Sequence, residues 1–252
     1  MTNGLRVAWV TGAGKGIGRA VAERLVRDGW TVCISARTAK DLENLKAEHR
    51  DGAVHTYPLD ITDGSAVATC IDNIEDEVGR IELAILNAGT HTSETLAQFT
   101  VETTRRLLDV NVMGTVNCLQ PLIGRFREHR TGHIAVVGSL AGYRGLPTAA
   151  AYGASKAALI NLCEALKPEL DACGIRLTLI NPGFVKTPLT DRNDFEMPFL
   201  MPVEKAADAI CDKLAGSAFE ITLPWRFALV MKMLRVLPDR LFFAITRRMI
   251  AR

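Results

Sequence analysis

Thr11-Gly12-Ala13-Gly14-Lys15-Gly16-Ile17-Gly18 decides how this chain is read. The octapeptide follows an apolar run, Arg6–Thr11, and precedes a segment of helical character, Arg19–Asp28. Its glycines let the backbone turn sharply and approach a ligand closely. The exposed N–H groups of a helix that starts there face an anion, so the stretch suits a pyrophosphate. The alternative is a tight turn that merely joins strand to helix. The succession of strand, turn, helix and strand again favours dinucleotide binding. The spacing is not that of the general G-x-G-x-x-G fingerprint, because Ile17 stands where the third glycine would fall after Gly12 and Gly14. It reads T-G-x-x-x-G-x-G.

Outward from this turn, apolar β-rich runs alternate with stretches of helical length. The strand candidates are Arg6–Thr11, Thr31–Ala36, Val54–Leu59, Leu83–Leu86, His133–Val137, Arg176–Ile180 and Glu220–Leu223. Continuous apolar strands between helices imply a parallel sheet covered on both faces. Right-handed crossovers then give an α/β fold of the Rossmann type, a doubly wound parallel sheet of about seven strands, with a C-terminal helical extension. The 252 residues suit one domain spanning 1–252, and an apolar content of 48% suits a substantial core. In such a sheet, ligands bind beyond the carboxyl ends of the strands.

Composition narrows the function classes. Six cysteines without a C-x-x-C pair read as reduced, mostly buried thiols, and the five histidines have no metal-site spacing, so no metal is expected. No leader-like N-terminus and no spanning apolar run is read, which points to a cytoplasmic protein. From Ile221 to Arg252 there are seven Lys/Arg and one acid, a net of +6, against −4 for the rest. Beyond this basic tail nothing supports nucleic-acid binding.

Arg37 follows the second strand, where an acid would accept hydrogen bonds from a ribose 2′-OH and an arginine would instead favour a 2′-phosphate. Lys15 offers a second positive charge. With no Asp or Glu between Thr31 and Lys40, the pair favours NADP(H) over NAD(H). Tyr152 and Lys156, spaced i, i+4, share one face of a helix. An ammonium near a phenol favours the phenolate and so lowers the tyrosine pKa towards neutrality, as proton exchange with a substrate oxygen requires. Ser139 follows strand His133–Val137, thirteen residues before Tyr152, and its hydroxyl is suited to orienting that oxygen.

Together these motifs resemble the short-chain dehydrogenase/reductase family, in its compact single-domain branch, from Val7 to about Pro188. The resemblance implies a catalytic set of Asn111, Ser139, Tyr152 and Lys156, with Asn111, expected within a helix, anchoring a water that links the lysine to solvent. It further implies that Lys156 holds the nicotinamide ribose. Asp60, with Ile61 beside it, matches the family's adenine-contacting position, although Asp60 alone also reads as a helix N-cap. Asn87-Ala88-Gly89 matches the segment that passes the adenine ribose. Pro182, Gly183, Val185 and Thr187 match the segment that meets the nicotinamide carboxamide and a nearby phosphate. The implied activity is hydride transfer between NADP(H) and a carbonyl or secondary alcohol, and the implied assembly is a homodimer or homotetramer. One departure is Pro168, which is expected to kink or end the active-site helix.

On the substrate side, residues 189–216 are expected to include a mobile lid. Phe195, Met197, Phe199, Leu200 and Met201 suggest a hydrophobic substrate or, equally, core packing. Leu140, Tyr143 and Leu146 are candidate pocket residues. For the tail, residues 225–252, three readings compete: a helical pair packed on its own domain or a partner subunit, a lid over an apolar pocket, and a basic amphipathic surface resting on an anionic membrane. The first is favoured, so peripheral membrane contact is the lesser expectation. A non-catalytic nucleotide sensor on the same fold would keep the glycine turn without needing the four catalytic residues. The sugar-nucleotide epimerases and dehydratases among the longer relatives resemble T-G-x-x-G-x-x-G chains with a larger C-terminal domain, and this chain has neither feature.

Overall fold

The computed structural model describes residues 5–49, 52–192 and 197–250. Seven strands form one parallel sheet: β1 (Val7–Thr11), β2 (Thr31–Ser35), β3 (Val54–Thr56), β4 (Ile81–Leu86), β5 (Gly132–Val137), β6 (Ile175–Pro182) and β7 (Glu220–Leu223). Their order across the sheet is β3-β2-β1-β4-β5-β6-β7. β1 is buried along its whole length because β2 and β4 flank it and helices cover both faces. The chain leaves β1 towards one edge and returns to β4 on its other side. The crevice between their carboxyl ends is therefore the topological switch point, the place where such sheets bind ligands.

Side-chain alternation along the strands divides the core in two. On one face, Val10, Ile34, Ile85 and Ile180 pack against α1 (Gly16–Arg27), α2 (Ala39–Glu48) and α7 (Val203–Leu214). On the other, Val7, Trp9, Leu86, Ile134 and Leu177 meet α3 (Gly64–Glu77), α5 (Gly114–His129) and α6 (Ala150–Ala172). The remaining helices are α4 (Val101–Leu108), α8 (Trp225–Val236) and α9 (Asp239–Ile250).

The structure departs from the sequence reading in physical detail. β3 ends at Thr56, shorter than expected, although Tyr57 and Leu59 still donate backbone hydrogen bonds to Ile34 and Ala36; Pro58 lies between them on the outer side of this edge strand, where no N–H is needed. α6 runs through Pro168 to Ala172, so the helix does not end at the proline. Pro168 and Glu164, whose carbonyl loses its partner, are both exposed, so water compensates for the missing bond. Of the 189–216 segment, α7 is a sheet-covering helix fastened to α1 by Arg24, which pairs with Asp208 and Asp212 at 3.0 and 2.8 Å. All six cysteines are free thiols, five of them buried, and burial pushes Cys33, Cys118, Cys163 and Cys211 up to about 12. Among the described residues no helix is long and apolar enough to cross a membrane.

Trp9 is fully buried at the centre of the larger core, and its Nε1 donates to Ser35 Oγ at 2.9 Å. Trp9→Ala is expected to cost about 3–5 kcal/mol of unfolding free energy, measured by urea denaturation.

Candidate active site

The glycine turn lies at the switch point. Gly12 and Gly16 adopt φ of +66° and +58°, a region that side chains disfavour. A Cβ on Gly12 would come within 2.7 Å of Ala88 Cα, and one on Gly18 within 2.3 Å of Asn87 Nδ2. The turn therefore sits directly against the Asn87-Ala88-Gly89 segment at the end of β4. Asn87 Nδ2 donates to the carbonyls of Thr11 and Gly12, while the N–H groups of Asn87 and Ala88 donate to Thr11 Oγ1. α1 opens behind the turn with no capping side chain and no acid in its first turn, so its N-terminal N–H groups face only what the cleft admits. Thr187 stands over Gly16, its Cγ2 3.2 Å from where a Cβ would be. These residues fit a dinucleotide: the cradle exists only because three side chains are missing, and the helix start is anion-ready.

Ile61 is buried under Gly114, where a Cβ would meet Ile61 Cδ1 at 2.5 Å, and Asn117 Nδ2 on α5 donates to the Ile61 carbonyl at 2.9 Å. Asp60 turns back to accept from Thr62, while the N-cap of α3 is Asp63. At the end of β2, Arg37 is exposed. Lys15 pairs with Asp41 at 3.2 Å, and Asp41 Cβ lies 3.1 Å from the place of a Gly14 Cβ. An acid therefore does stand in this corner, one residue beyond the acid-free stretch, and it engages one of the two basic groups.

The catalytic candidates come from four elements. Asn111 lies not in a regular α-helix but in a π turn, Asp109–Met113, between α4 and α5. Its side chain is fully buried: Oδ1 accepts from Thr90 N at 2.7 Å, and Nδ2 donates to Thr90 O at 3.0 Å and Ser155 Oγ at 2.9 Å. Ser155 in turn donates to the Tyr152 carbonyl at 2.7 Å. Lys156 Nζ donates to Val137 O at 2.9 Å, at the end of β5, and lies 6.0 Å from the Tyr152 ring centroid. Gly89 packs beside both Asn111 Oδ1 and Lys156 Nζ. Ser139 caps the 3-10 turn Leu140–Gly142 by accepting from Ala141 N.

Burial pushes Lys156 down to about 8. Burial likewise raises Tyr152 above the ordinary phenol value, with the Ser139 hydroxyl pulling the other way. That direction reverses the sequence expectation. The ammonium expected to lower the phenol is itself desolvated and is spent on the Val137 carbonyl, so the loss of solvent dominates for both groups.

Four residues near the site carry no motif signal. Ser155 and Thr90 complete the Asn111 network, Asp41 meets Lys15, and the His91 ring stands edge-on to Tyr152 with centroids 4.5 Å apart. Ser155, immediately before Lys156, was the most legible of them.

Leu140 and Tyr143 are buried in the core beneath α8, and Leu146 packs at its edge. Tyr143 Oη donates to Glu220 Oε1, which also accepts from Asn181 at 2.8 Å. The wall beside Gly183 is aromatic: Phe227 of α8 stacks on Phe184 at 5.4 Å and on Phe199 at 6.1 Å. Phe199 and Leu200 are exposed, Met201 bridges to Val185, and Phe195 lies outside the described residues. A separate concavity of about 440 Å³, lined by Arg6, Trp30, His133 and Arg176, opens at the amino ends of the strands, away from this chemistry.

Residues 6–197 match the family model described as short chain dehydrogenase. An uncharacterized oxidoreductase of Myxococcus xanthus is 37% identical over 246 residues, covering 97% of each chain. Another from Mycobacterium tuberculosis is 32% identical over 235 residues, covering 89% of this chain and 69% of the relative. Among solved structures, a short-chain dehydrogenase from Streptomyces avermitilis superposes with a TM-score of 0.80 at 26% identity over 92% of each chain. The structure of ElxO with NADP bound shares the fold, with a TM-score of 0.79 at 24% identity over 87% of this chain and 97% of that one. The chain belongs to the short-chain dehydrogenase family of oxidoreductases.

Proposed function

We propose that the chain is an NADP(H)-dependent oxidoreductase that interconverts a carbonyl and a secondary alcohol of apolar character, with Tyr152 as the acid/base. The observation that carries this reading is the hydrogen-bonded line Thr90–Asn111–Ser155–Tyr152, with Lys156 and Ser139 beside it. A nucleotide sensor needs the glycine cradle but not this buried polar line, which fixes the Tyr152 turn beside Lys156 and Ser139.

When bound, the nicotinamide supplies the hydride, which no side chain can. Tyr152 Oη gives its proton to the substrate oxygen in reduction and takes it back in oxidation. Its raised pKa keeps it protonated in the resting enzyme, the form that reduction requires. Ser139 Oγ, at the end of β5, is suited to donate a hydrogen bond to the same oxygen as charge develops there. Lys156 favours the phenolate left after transfer and is suited to hold the nicotinamide ribose. Asn111 fixes the Thr90 backbone and, through Ser155, the first turn of α6. Apolar substrate character is supported by the Phe184, Phe199 and Phe227 wall. NADP(H) is supported by Arg37, for which no carboxylate partner is found among the described residues, and by ElxO, which shares the fold and has NADP bound. Asp41 beside Lys15 leaves Arg37 as the principal determinant.

Tyr152→Phe is expected to lower kcat for NADPH-driven carbonyl reduction about 10²–10⁴-fold while NADPH binding, read by fluorescence, is retained. Undiminished turnover would refute the proposed acid. Arg37→Ala should raise the KM for NADPH and leave that for NADH in place; a wild-type enzyme with a decisive NADH preference would overturn the cofactor assignment.

Lys156 also makes a stability statement. Its folded pKa of about 8 lies below the 10.5 of a free lysine, so the unfolded chain binds the extra proton between those values. Stability contributed by this group therefore rises with pH across that window, and the penalty is fully present below it. In urea unfolding, wild type should gain up to roughly 3 kcal/mol on Lys156→Met between pH 8 and 10.5. A constant gap would show that Lys156 is not desolvated.

A further inference from the structure

α8 is apolar on two opposite sides. Phe227, Ala228 and Met231 are buried in the core. Trp225, Leu229, Met233 and Val236, spaced i, i+4, i+8 and i+11, form a stripe on the other side, and Val236 is 80% exposed. The inner stripe is taken up by the core, and a second, outward apolar stripe of this kind marks an interaction surface. On α9, Phe242 and Thr246 are buried, Leu241, Phe243, Ile245 and Met249 are exposed, and Arg240, Arg247 and Arg248 are exposed with them.

The charge on this surface is not neutralised from within. Asp239, the one acid of the tail, is held by Arg144 at 2.6 Å, and Glu220 is held by Lys232 at 2.8 Å. Among the described residues no carboxylate pairs with Arg226, Arg235, Arg240, Arg247 or Arg248. A two-fold contact with a second copy centred on this patch would gather the cations of both copies in one interface, with no acid of the tail left to answer them. An anionic bilayer answers both demands, with headgroup charge for the arginines and an apolar layer for the stripe. Trp225, with the Arg226 guanidinium 5.5 Å from its ring, is the kind of residue that settles at the headgroup level. Each helix has twelve residues, too few to span, so the pair would lie in the interface plane.

We propose that the outward face of α8 and α9 docks on an anionic lipid surface. This inference does not rest on the assigned reaction. α8 follows β7 directly, at the carboxyl end of the sheet, and its Phe227 lines the site wall. Docking brings that end of the sheet, with the Tyr152 site, to the bilayer.

The test is flotation of the full-length protein on phosphatidylcholine vesicles with and without phosphatidylglycerol. Flotation is expected with phosphatidylglycerol only, and release at high salt, which screens exposed charge. Arg240→Glu/Arg247→Glu/Arg248→Glu should weaken partitioning roughly a hundredfold. Leu229→Glu/Met233→Glu should abolish flotation, with thermal midpoint and NADPH binding unchanged. The proposal is overturned by protein that does not float with phosphatidylglycerol, by equal flotation on phosphatidylcholine alone, or by flotation that survives both variants. It is equally overturned if light scattering shows self-association that Leu229→Glu/Met233→Glu dissolves, which would assign the face to a second copy.

Discussion

The Thr11 hydroxyl binds the two halves of the sheet at the point where the cofactor cradle must form. It accepts the N–H groups of Asn87 and Ala88, and Asn87 answers through its amide to the carbonyls of Thr11 and Gly12. This double clasp joins the ends of β1 and β4, neighbours in space but far apart in sequence. It draws the two segments so close that Gly12 and Gly18 can carry no side chain. Thr11 is 1% exposed, so its hydroxyl is shielded from water and would lose its solvation uncompensated if these bonds were not made. The glycines thus serve chain packing as much as ligand approach.

From the clasp the backbone runs directly into the reacting groups. Gly89 packs on Asn111 and Lys156, and Thr90 is gripped by the Asn111 amide through both its N–H and its carbonyl. Asn111 then reaches Ser155, and Ser155 the Tyr152 carbonyl. The π turn makes this possible. An extra residue in the turn shifts the helical register, so that Gly114 N–H donates to the Asp109 carbonyl, and the Asn111 carbonyl accepts from the Thr115 hydroxyl at 2.8 Å. The same turn that weakens the helix aims the side chain. The glycine turn and the helix that carries Tyr152 and Lys156 are therefore linked through Asn87–Thr90, Asn111 and Ser155, and a change in one is felt in the other.

Much of this was legible because the chemistry depends on spacing along the chain. The glycine turn, the i, i+4 pair of Tyr152 and Lys156, and Ser139 at a strand end are local patterns, and the alternation of apolar runs with helices implies the sheet. What was misread depends on depth and neighbours. Pro168 read as a point where the helix would kink or end, but α6 does not end there, and on an exposed face the carbonyl that loses its partner stays open to solvent. Lys15 and Arg37 read as a matched pair, yet Asp41 comes back from the first turn of α2 to engage Lys15. Tyr152 read as acidified by Lys156, because proximity is visible in a sequence and desolvation is not.

α8 also shows why the tail resisted reading. An amphipathic helix announces its buried face by contrast with a polar one, and a second apolar stripe removes the contrast. The sequence pattern then fits core packing and a surface contact alike, and the structure buries one apolar stripe in the core and leaves the other exposed. The inward side is integral to the domain. Glu220 receives hydrogen bonds from Lys232 of α8, from Tyr143 and from Asn181, which outweigh the effect of its burial and hold its carboxyl below the usual range. Arg144 donates to the Leu234 and Leu237 carbonyls at the end of α8 and to Asp239 at the start of α9, with its guanidinium over the Phe242 ring. Removing residues 225–252 would uncover Leu140 and Tyr143, strip Glu220 of its cation and take Phe227 from the site wall. The extension is part of the fold on its inner side, so only its outer side is free to have a function of its own.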